Sequence, residues 1–131
     1  VWDDSLQVMV SRNHPLAGCE KKTKIMRYPA IVHEKGTETR RLIETACQAA
    51  GLSFRTSVET NYLETIRMLV ASGLGWSVLP LSMLNEELIS VSTPGIHFRR
   101  ELGIVARRGA MLSRAMGACY DLLLGEQVDL P

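Results

Sequence analysis

The pattern of apolar positions between residues 61 and 80 predicts a helix followed directly by a buried strand. Asn61 is a good N-cap, and Glu64 lies three residues later, where its side chain can complete a capping box. Gly73 suits the position that ends a helix, and the apolar run from Trp76 to Pro80 predicts a short strand. The apolar stripe of the helix consists of Tyr62, Leu63, Ile66, Leu69 and Val70.

Two further segments have the spacing of amphipathic helices. Thr37 or Thr39 can cap the first, which should end before Gly51, and Ser113 can cap the second, near the end of the chain. The first stripe consists of Leu42, Ile43, Ala46, Cys47 and Ala50, and the second of Ala115, Met116, Cys119, Leu122 and Leu123.

Apolar runs with the composition of strands lie between these helices. They cover residues 6–10, 30–33, 54–59 and 88–92, together with an extended segment at 97–106 that is most apolar at 102–105. Because strands alternate with helices, the predicted fold class is α/β, with a mixed, mostly parallel sheet flanked by helices.

Charge and composition exclude several classes of function. The 131 residues carry a formal net charge of +1, which argues against an electrostatic nucleic-acid binder. The adjacent arginines at 99–100 and 107–108 are interpreted as solvated surface. Three scattered cysteines favour a reducing, cytoplasmic location, and no histidine lies at metal-ligand spacing. We therefore predict no metal site, no cofactor and no membrane span.

Catalytic motifs are lacking, since the sequence contains no nucleophile elbow, phosphate-binding loop or zinc-protease motif. Cys47 and Cys119 lie on apolar helix stripes, where core packing is their usual role. His14 lies in a turn before a proline and is interpreted as a surface or capping residue. Trp76 is most simply a core residue, although it could contact a ligand at the edge of a cleft. We predict no catalytic residue and no enzymatic activity.

A binding site is predicted where strands end and helices begin, at residues 33–39 and 59–62. The free N–H groups of a helix start attract anions, and Thr37, Thr39 and Asn61 add side-chain groups that could bind a small carboxylate. Plain helix capping explains the same residues without any ligand. Glu34 and Glu38 also weaken the case for an anion, although Lys35 could offset one of them.

Four segments together resemble the effector-binding domain of LysR-type transcriptional regulators. They are Leu6 to Gly18, Gly36 to Leu52, Thr60 to Pro80 and Arg100 to Leu124. Their order and spacing cover nearly the whole chain. The resemblance implies a type II lobe similar to periplasmic binding proteins, in a protein where two strands cross between two lobes.

The resemblance also implies how the chain is divided. Residues 1–10 would form an outgoing crossing strand, 11–101 the second lobe, and 102–131 the return strand, at Leu102 to Ala106, and the final helix. That helix would pack on the first lobe. The first lobe, the linker helix and the winged helix-turn-helix would all precede Val1. Without that lobe, Met116, Cys119 and Leu123 should repack on the lobe present or meet another chain.

In this family a small effector, here an organic acid or amino acid, would bind between the lobes and shift the oligomer and its DNA binding. The resemblance places the loop from Glu34 to Thr39 at the cleft, with Thr37 as the best-placed contact. Promoter DNA would be bound only through the missing helix-turn-helix, and homo-oligomers would form through Arg40 to Glu59. The predicted ligand-binding residues are Glu34, Gly36, Thr37, Thr39 and Asn61.

Two other functions stay open from the sequence. One is a free-standing solute-binding or enzymatic α/β domain, in which the junction at Thr37 would hold the substrate. The other is a purely structural interaction domain.

Overall fold

The computed structural model describes residues 2–18 and 22–125. Helices and strands alternate through most of the chain, which confirms the α/β class. The elements are β1 (Trp2–Ser11), α1 (Lys22–Ile25), β2 (Ala30–Val32), α2 (Glu38–Ala49), β3 (Thr56–Glu59), α3 (Leu63–Ala71), β4 (Ser77–Pro80), a 3-10 turn (Leu81–Met83), β5 (Leu88–Val91), β6 (Phe98–Leu102) and α4 (Arg114–Gly125).

Strand β1 is the centre of the main sheet. It pairs with β4 on one edge and with β5 and β6 on the other, since Leu6 lies opposite both Pro80 and Phe98, and all three pairings are antiparallel. Strands β2 and β3 are parallel, and a parallel bridge joins Ala30 to Trp76, just before β4. The sheet is mixed, as predicted. The prediction that most of its strands are parallel was wrong. Parallel neighbours arise only where a helix connects the strands, whereas β1 runs against every strand that pairs with it.

The strand that returns to β1 lies earlier in the chain than its most apolar residues predict. Strand β6 pairs residues 98–102 with β1, from Leu6 opposite Phe98 to Trp2 opposite Leu102. Strand β6 therefore lies within the predicted extended segment at 97–106, but at its beginning and not at 102–106, where the return strand was predicted. Phe98 enters the core, whereas Val105 is 97% exposed, so the pairing partner and not the local apolar content determines the strand.

The core has two parts, one on each face of the sheet. On one face, the side chains of Leu6 and Val8 in β1 belong to the same cluster as Ile43 and Cys47 of α2. On the other face, Met9 belongs to a cluster with residues of α3. Successive side chains of a strand point to opposite faces, so β1 contributes to both clusters. This confirms that helices flank the sheet.

Helix α2 begins and ends where its cap residues predict. Thr37 is the N-cap, and Gly51 follows the helix with φ of +70°. Helix α3 also ends as predicted: Gly73 N–H donates to Val70 O and Leu74 N–H to Leu69 O, which is the Schellman pattern.

The start of α3 differs from the prediction. Its N-cap is Tyr62, which makes no side-chain cap, and the helix begins at Leu63. The capping box is not formed because Asn61 bonds to Glu34 and the carboxylate of Glu64 bonds to Arg67.

Trp76 is a core residue, as predicted. Its side chain is fully buried, and its indole N–H donates to the backbone oxygen of Tyr28 at 3.1 Å. The backbone before it passes so close to Pro29 that a Cβ at Gly75 would lie 2.2 Å from the Pro29 oxygen. Gly75 therefore provides space for the chain to enter the sheet.

Helix α4 has the predicted cap but not the predicted packing. The Ser113 hydroxyl accepts from Met116 N–H at 3.2 Å, yet no residue of the helix is buried. Met116 is 57% exposed, and Cys119 and Leu123 are also exposed. Repacking on this lobe, and core packing of Cys119, are thus wrong for the described part of the chain. Contact with another chain or with a first lobe stays a prediction.

Candidate functional site

The two loops of the predicted site lie side by side. They follow the parallel strands β2 and β3, and Thr60 N–H donates to Val32 O across them. Glu34 N–H donates to Asn61 Oδ1 at 3.0 Å, and Asn61 Nδ2 donates to Glu34 Oε2 at 3.0 Å. We call residues 33–39 and 59–62 the loop site. The structure thus joins two of the predicted residues directly.

Thr37 holds the start of α2. Its hydroxyl donates to Glu34 O at 2.9 Å and accepts from Arg40 N–H at 3.3 Å. The preceding Gly36 has φ of +89°, a conformation that side chains rarely tolerate. Capping therefore accounts for Thr37, and an effector contact there stays a prediction.

Thr39 faces a charged pair that the pattern of the sequence did not predict. Arg100 Nη1 donates to Thr39 Oγ1 at 3.3 Å, Arg100 Nε donates to Asp4 Oδ2 at 3.0 Å, and Nη2 donates to the same oxygen. The side chain of Arg100 is 20% exposed and that of Asp4 is 6% exposed. The site therefore includes a largely buried ion pair between β1 and β6.

Interpreting Arg99 and Arg100 together as solvated surface was wrong for Arg100. Arg99 does lie at the surface, where its side chain is 66% exposed and pairs with Asp3. Neighbouring residues of a strand point to opposite faces, so only one of two adjacent arginines can face α2. Strand alternation was the signal in the sequence, but the register with β1 was needed to choose the residue.

His33 lies within the predicted junction at 33–39 but is not among the five predicted ligand-binding residues. It directly follows β2, it is 7% exposed, and its Nδ1 has no hydrogen-bond partner. Burial, and then the positive charge of Arg100, lower the pKa of His33 from its ordinary value. The imidazole is therefore neutral at neutral pH.

Arg40 links α2 to the ends of β2 and β3 beside the loop site. Its Nη1 donates to His33 O at 3.0 Å and to Glu59 Oε1 at 3.2 Å, and its Nε donates to Glu44 Oε1 at 2.6 Å. The periodicity of α2 placed Arg40 outside the apolar stripe, but the residue is buried. Its guanidinium also lies 5.6 Å from the ring centroid of Phe54. A long side chain that pairs with distant carboxylates is invisible to apolar periodicity.

The acidic residues of the loop site are each engaged. The carboxylate of Glu34 accepts from Asn61, and that of Glu38 accepts from Arg41. The hydrogen bond from Arg41 holds the pKa of Glu38 below its usual value. Arg41, and not Lys35, therefore offsets the charge of Glu38.

A separate cavity of about 860 Å³ lies beside β1. Its lining includes Asp3, Ser5 and Gln7 of β1 and residues 90–99, and none of the five predicted ligand-binding residues is among them. Its charged lining residues Asp3 and Arg99 pair with each other. We assign the candidate site to the loops instead, because strand ends, a helix start and the Asp4–Arg100 pair meet there.

Cys47 and His14 are both packed into the core of the structure. Burial raises the pKa of the Cys47 thiol to about 11, so this residue is not a ready nucleophile. His14 is buried, so the surface alternative was wrong, but its Nδ1 accepts from Leu16 N–H, which fits the alternative of a capping residue. Over residues 2–18 and 22–125, no group of three or more side chains could hold a metal ion, and no helix is both long and apolar enough to cross a membrane.

The sequence matches the family described as the LysR substrate binding domain over residues 1–127. The chain belongs to this family. This LysR domain is 32% identical, over 132 residues, to the RuBisCO operon transcriptional regulator of Allochromatium vinosum, covering 95% of this chain and 43% of that protein. It is 30% identical, over 129 residues, to the HTH-type transcriptional activator CmpR of Synechocystis, covering 92% and 42%. The chain thus spans about two fifths of the length of these relatives.

Solved structures show the same fold for this LysR domain. The regulatory domain of CcmR from Synechocystis PCC6803, in complex with 2-PG, matches with a TM-score of 0.79 and 26% identity, over 99% of this chain and 66% of that one. The effector-binding domain of QuiR in complex with shikimate matches with a TM-score of 0.75 and 21% identity, over 98% and 64%. The predicted type II fold, similar to periplasmic binding proteins, is confirmed.

Proposed function

We propose that this chain is the effector-sensing part of a bacterial LysR-type transcriptional regulator. A small organic acid or amino acid would bind at the loop site and shift the oligomer and its DNA binding, without any catalytic step. An effector can shift such an equilibrium only by its differential affinity for the two states. The regulators among its relatives and the ligand-bound CcmR and QuiR domains support this proposal.

The observation that carries the proposal is the start of α2 at the paired loops. The N–H groups of Arg40 and Arg41 are bonded to Thr37, which leaves those of Glu38 and Thr39 without an intrahelical partner. These groups lie beside the joined residues Glu34 and Asn61. A helix start with free N–H groups attracts the acidic group of a ligand.

The rest of the regulator would surround this site. Residues 1–10 and the return strand would cross to a first lobe, which would also cover the exposed apolar side chains of α4. A winged helix-turn-helix upstream would bind promoter DNA in the cytoplasm. Residues 40–59 would pair two copies, a role that fits β3, whose free edge lies opposite β2 within the described residues.

The test uses the full-length regulator with small organic acids and amino acids. We expect at least one compound to raise the melting temperature and also to change the retardation of DNA fragments that the regulator recovers from genomic DNA. The 131-residue chain alone should retard no DNA at physiological salt. A full-length protein whose DNA binding responds to no such compound would contradict the proposal.

A further inference from the structure

The loop site is divided by charge into two halves. On one side, Asn61 is bonded at both ends of its amide to Glu34, which carries a negative charge. On the other side, Arg100 contacts Thr39 at the start of α2. An acidic ligand group is repelled by the first half and attracted by the second, so Glu34 and Asn61 are not its best partners.

Arg100 keeps hydrogen-bonding capacity that the protein does not use. A guanidinium has five N–H groups, and three of them bond to Asp4 and Thr39, which leaves one on Nη1 and one on Nη2. The side chain is partly exposed, so these groups can be reached. Asp4 fixes the orientation of the fork, and an oriented arginine loses little freedom when it binds a planar acid group.

Two neighbouring groups also point to a ligand at this position. The hydroxyl that Arg100 contacts and one free N–H of α2 belong to the same residue, Thr39, so one oxyanion can accept from the arginine and from the helix start. His33, in the loop that leads to α2, adds a ring that is more than nine-tenths buried and whose Nδ1 is unpaired. A buried polar atom without a partner is uncommon in a folded protein and calls for an explanation.

We propose that Arg100 binds the acidic group of the effector, a carboxylate or phosphate group, together with Thr39 and the first N–H groups of α2. This rests on the proposed function and assigns the specificity of the same site to a residue on β6. Asp4 is then a positioning residue that presents the guanidinium.

The chain offers a matched control. Asp3 and Arg99 form a second acid–arginine pair on the same two strands, but on the other face. The double variant Asp4→Asn/Arg100→Gln removes the ion pair beside the loop site and replaces both charged groups with neutral amides. The variant Asp3→Asn/Arg99→Gln removes one ion pair away from it. Both leave the net charge unchanged.

The experiment measures the binding of inorganic phosphate to the full-length regulator by calorimetry. We expect the control variant to bind phosphate as the wild type does, and Asp4→Asn/Arg100→Gln to bind it at least tenfold more weakly. Phosphate bound by any DNA-binding part is the same in all proteins, so it cancels in the comparison. Thr39→Val, which keeps the Thr37 cap and the ion pair, should also weaken binding, and it tests the site if the double variant does not fold.

Equal phosphate binding by the wild type and the loop-site variants, or no binding by the wild type, would overturn the assignment of Arg100. DNA retardation by the same proteins separates this result from the proposed function. An uncharged effector that changes DNA binding equally in the wild type and in Asp4→Asn/Arg100→Gln would leave the regulator established and the role of Arg100 refuted. A full-length protein that retards no DNA would instead refute the proposed function.

Discussion

At the scale of single residues, Gly75 lies where two backbone segments pass so close together that a side chain would not fit. The Pro29 oxygen accepts from Trp76 N–H at 3.1 Å and occupies the space that a side chain at Gly75 would need. This contact joins β2 to the segment that leads into β4, so the space cannot open without loss of sheet pairing.

Gly75→Ala should therefore lower the free energy of unfolding by about 3 kcal/mol, at the upper end of the usual cost of overpacking. Denaturant unfolding measures the change. Gly117→Ala is the control, because nothing lies within 4 Å of a Cβ there and the residue is inside α4. It should leave stability unchanged or raise it by up to about 1 kcal/mol. Equal stability of the two variants would contradict the close approach.

The two buried histidines make stability depend on pH. Burial lowers the pKa of both His14 and His33 below the ordinary value of 6.5. Below that pH the unfolded chain binds protons that the folded chain does not, so stability should fall as pH decreases from about 6.5 towards the folded pKa values. The slope for each histidine cannot exceed about 1.4 kcal/mol per pH unit.

Unfolding measured between pH 7 and pH 5.5 tests this sign. The variant His14→Gln/His33→Gln should have a flatter pH dependence than the wild type, whatever its absolute stability. A wild type that becomes more stable as pH falls over this range would show that the histidines are not buried in their neutral form.

Single residues were predictable where their role depends on sequence neighbours. Thr37 caps a helix that begins one residue later, and Gly73 ends one, so local chemistry decides both. Asn61 has an equally good local role but bonds instead to Glu34, 27 residues away in sequence. Arg100 depends on Asp4, which lies 96 residues away. The charged half of the site was missed because it depends on strand register.

At the scale of elements, the start of α2 positions the loop site. The Thr37 hydroxyl links Glu34 to Arg40, so it holds the loop and the first turn together. Arg40 then ties the helix to the ends of β2 and β3. Capping and the buried arginine thus fix the free N–H groups relative to Arg100.

Thr37→Ala should cost about 1 kcal/mol of stability, the usual value for loss of an N-cap. Thr37→Ser keeps a hydroxyl at the same position and should stay within a few tenths of a kcal/mol of the wild type. Denaturant unfolding of both variants measures the difference. If alanine and serine were equally stable, the hydroxyl would not be what holds the start of α2.

Helices α2 and α3 were predicted well because amphipathic periodicity and terminal glycines are local signals. The antiparallel direction of the pairings with β1 was not predicted. It depends on which strands pair with β1, and local periodicity does not determine this. The return strand shows the same limit: the most apolar residues near 102–105 lie beside the paired strand, and the strand itself contains Arg99, Arg100 and Glu101. Pairing with β1 overrides the apolar pattern there.

At the scale of the whole molecule, the domain carries two kinds of surface that a longer regulator would use. The loop site combines a capped helix start with the Asp4–Arg100 pair, and α4 exposes Met116, Leu122 and Leu124. The chain spans about two fifths of the length of its curated relatives. The partners of both surfaces, a first lobe and an effector, are therefore proposed and lie outside these residues. The family was recognisable from segment order, whereas the proposed effector site depends on side chains that meet only in the fold.

The most direct test is DNA retardation by the full-length regulator across a series of small organic acids and their uncharged amides. We expect that an acid changes DNA binding, that its amide does not, and that Asp4→Asn/Arg100→Gln abolishes the response while Asp3→Asn/Arg99→Gln retains it. A regulator whose DNA binding is the same with and without every such compound would not be the effector sensor proposed here.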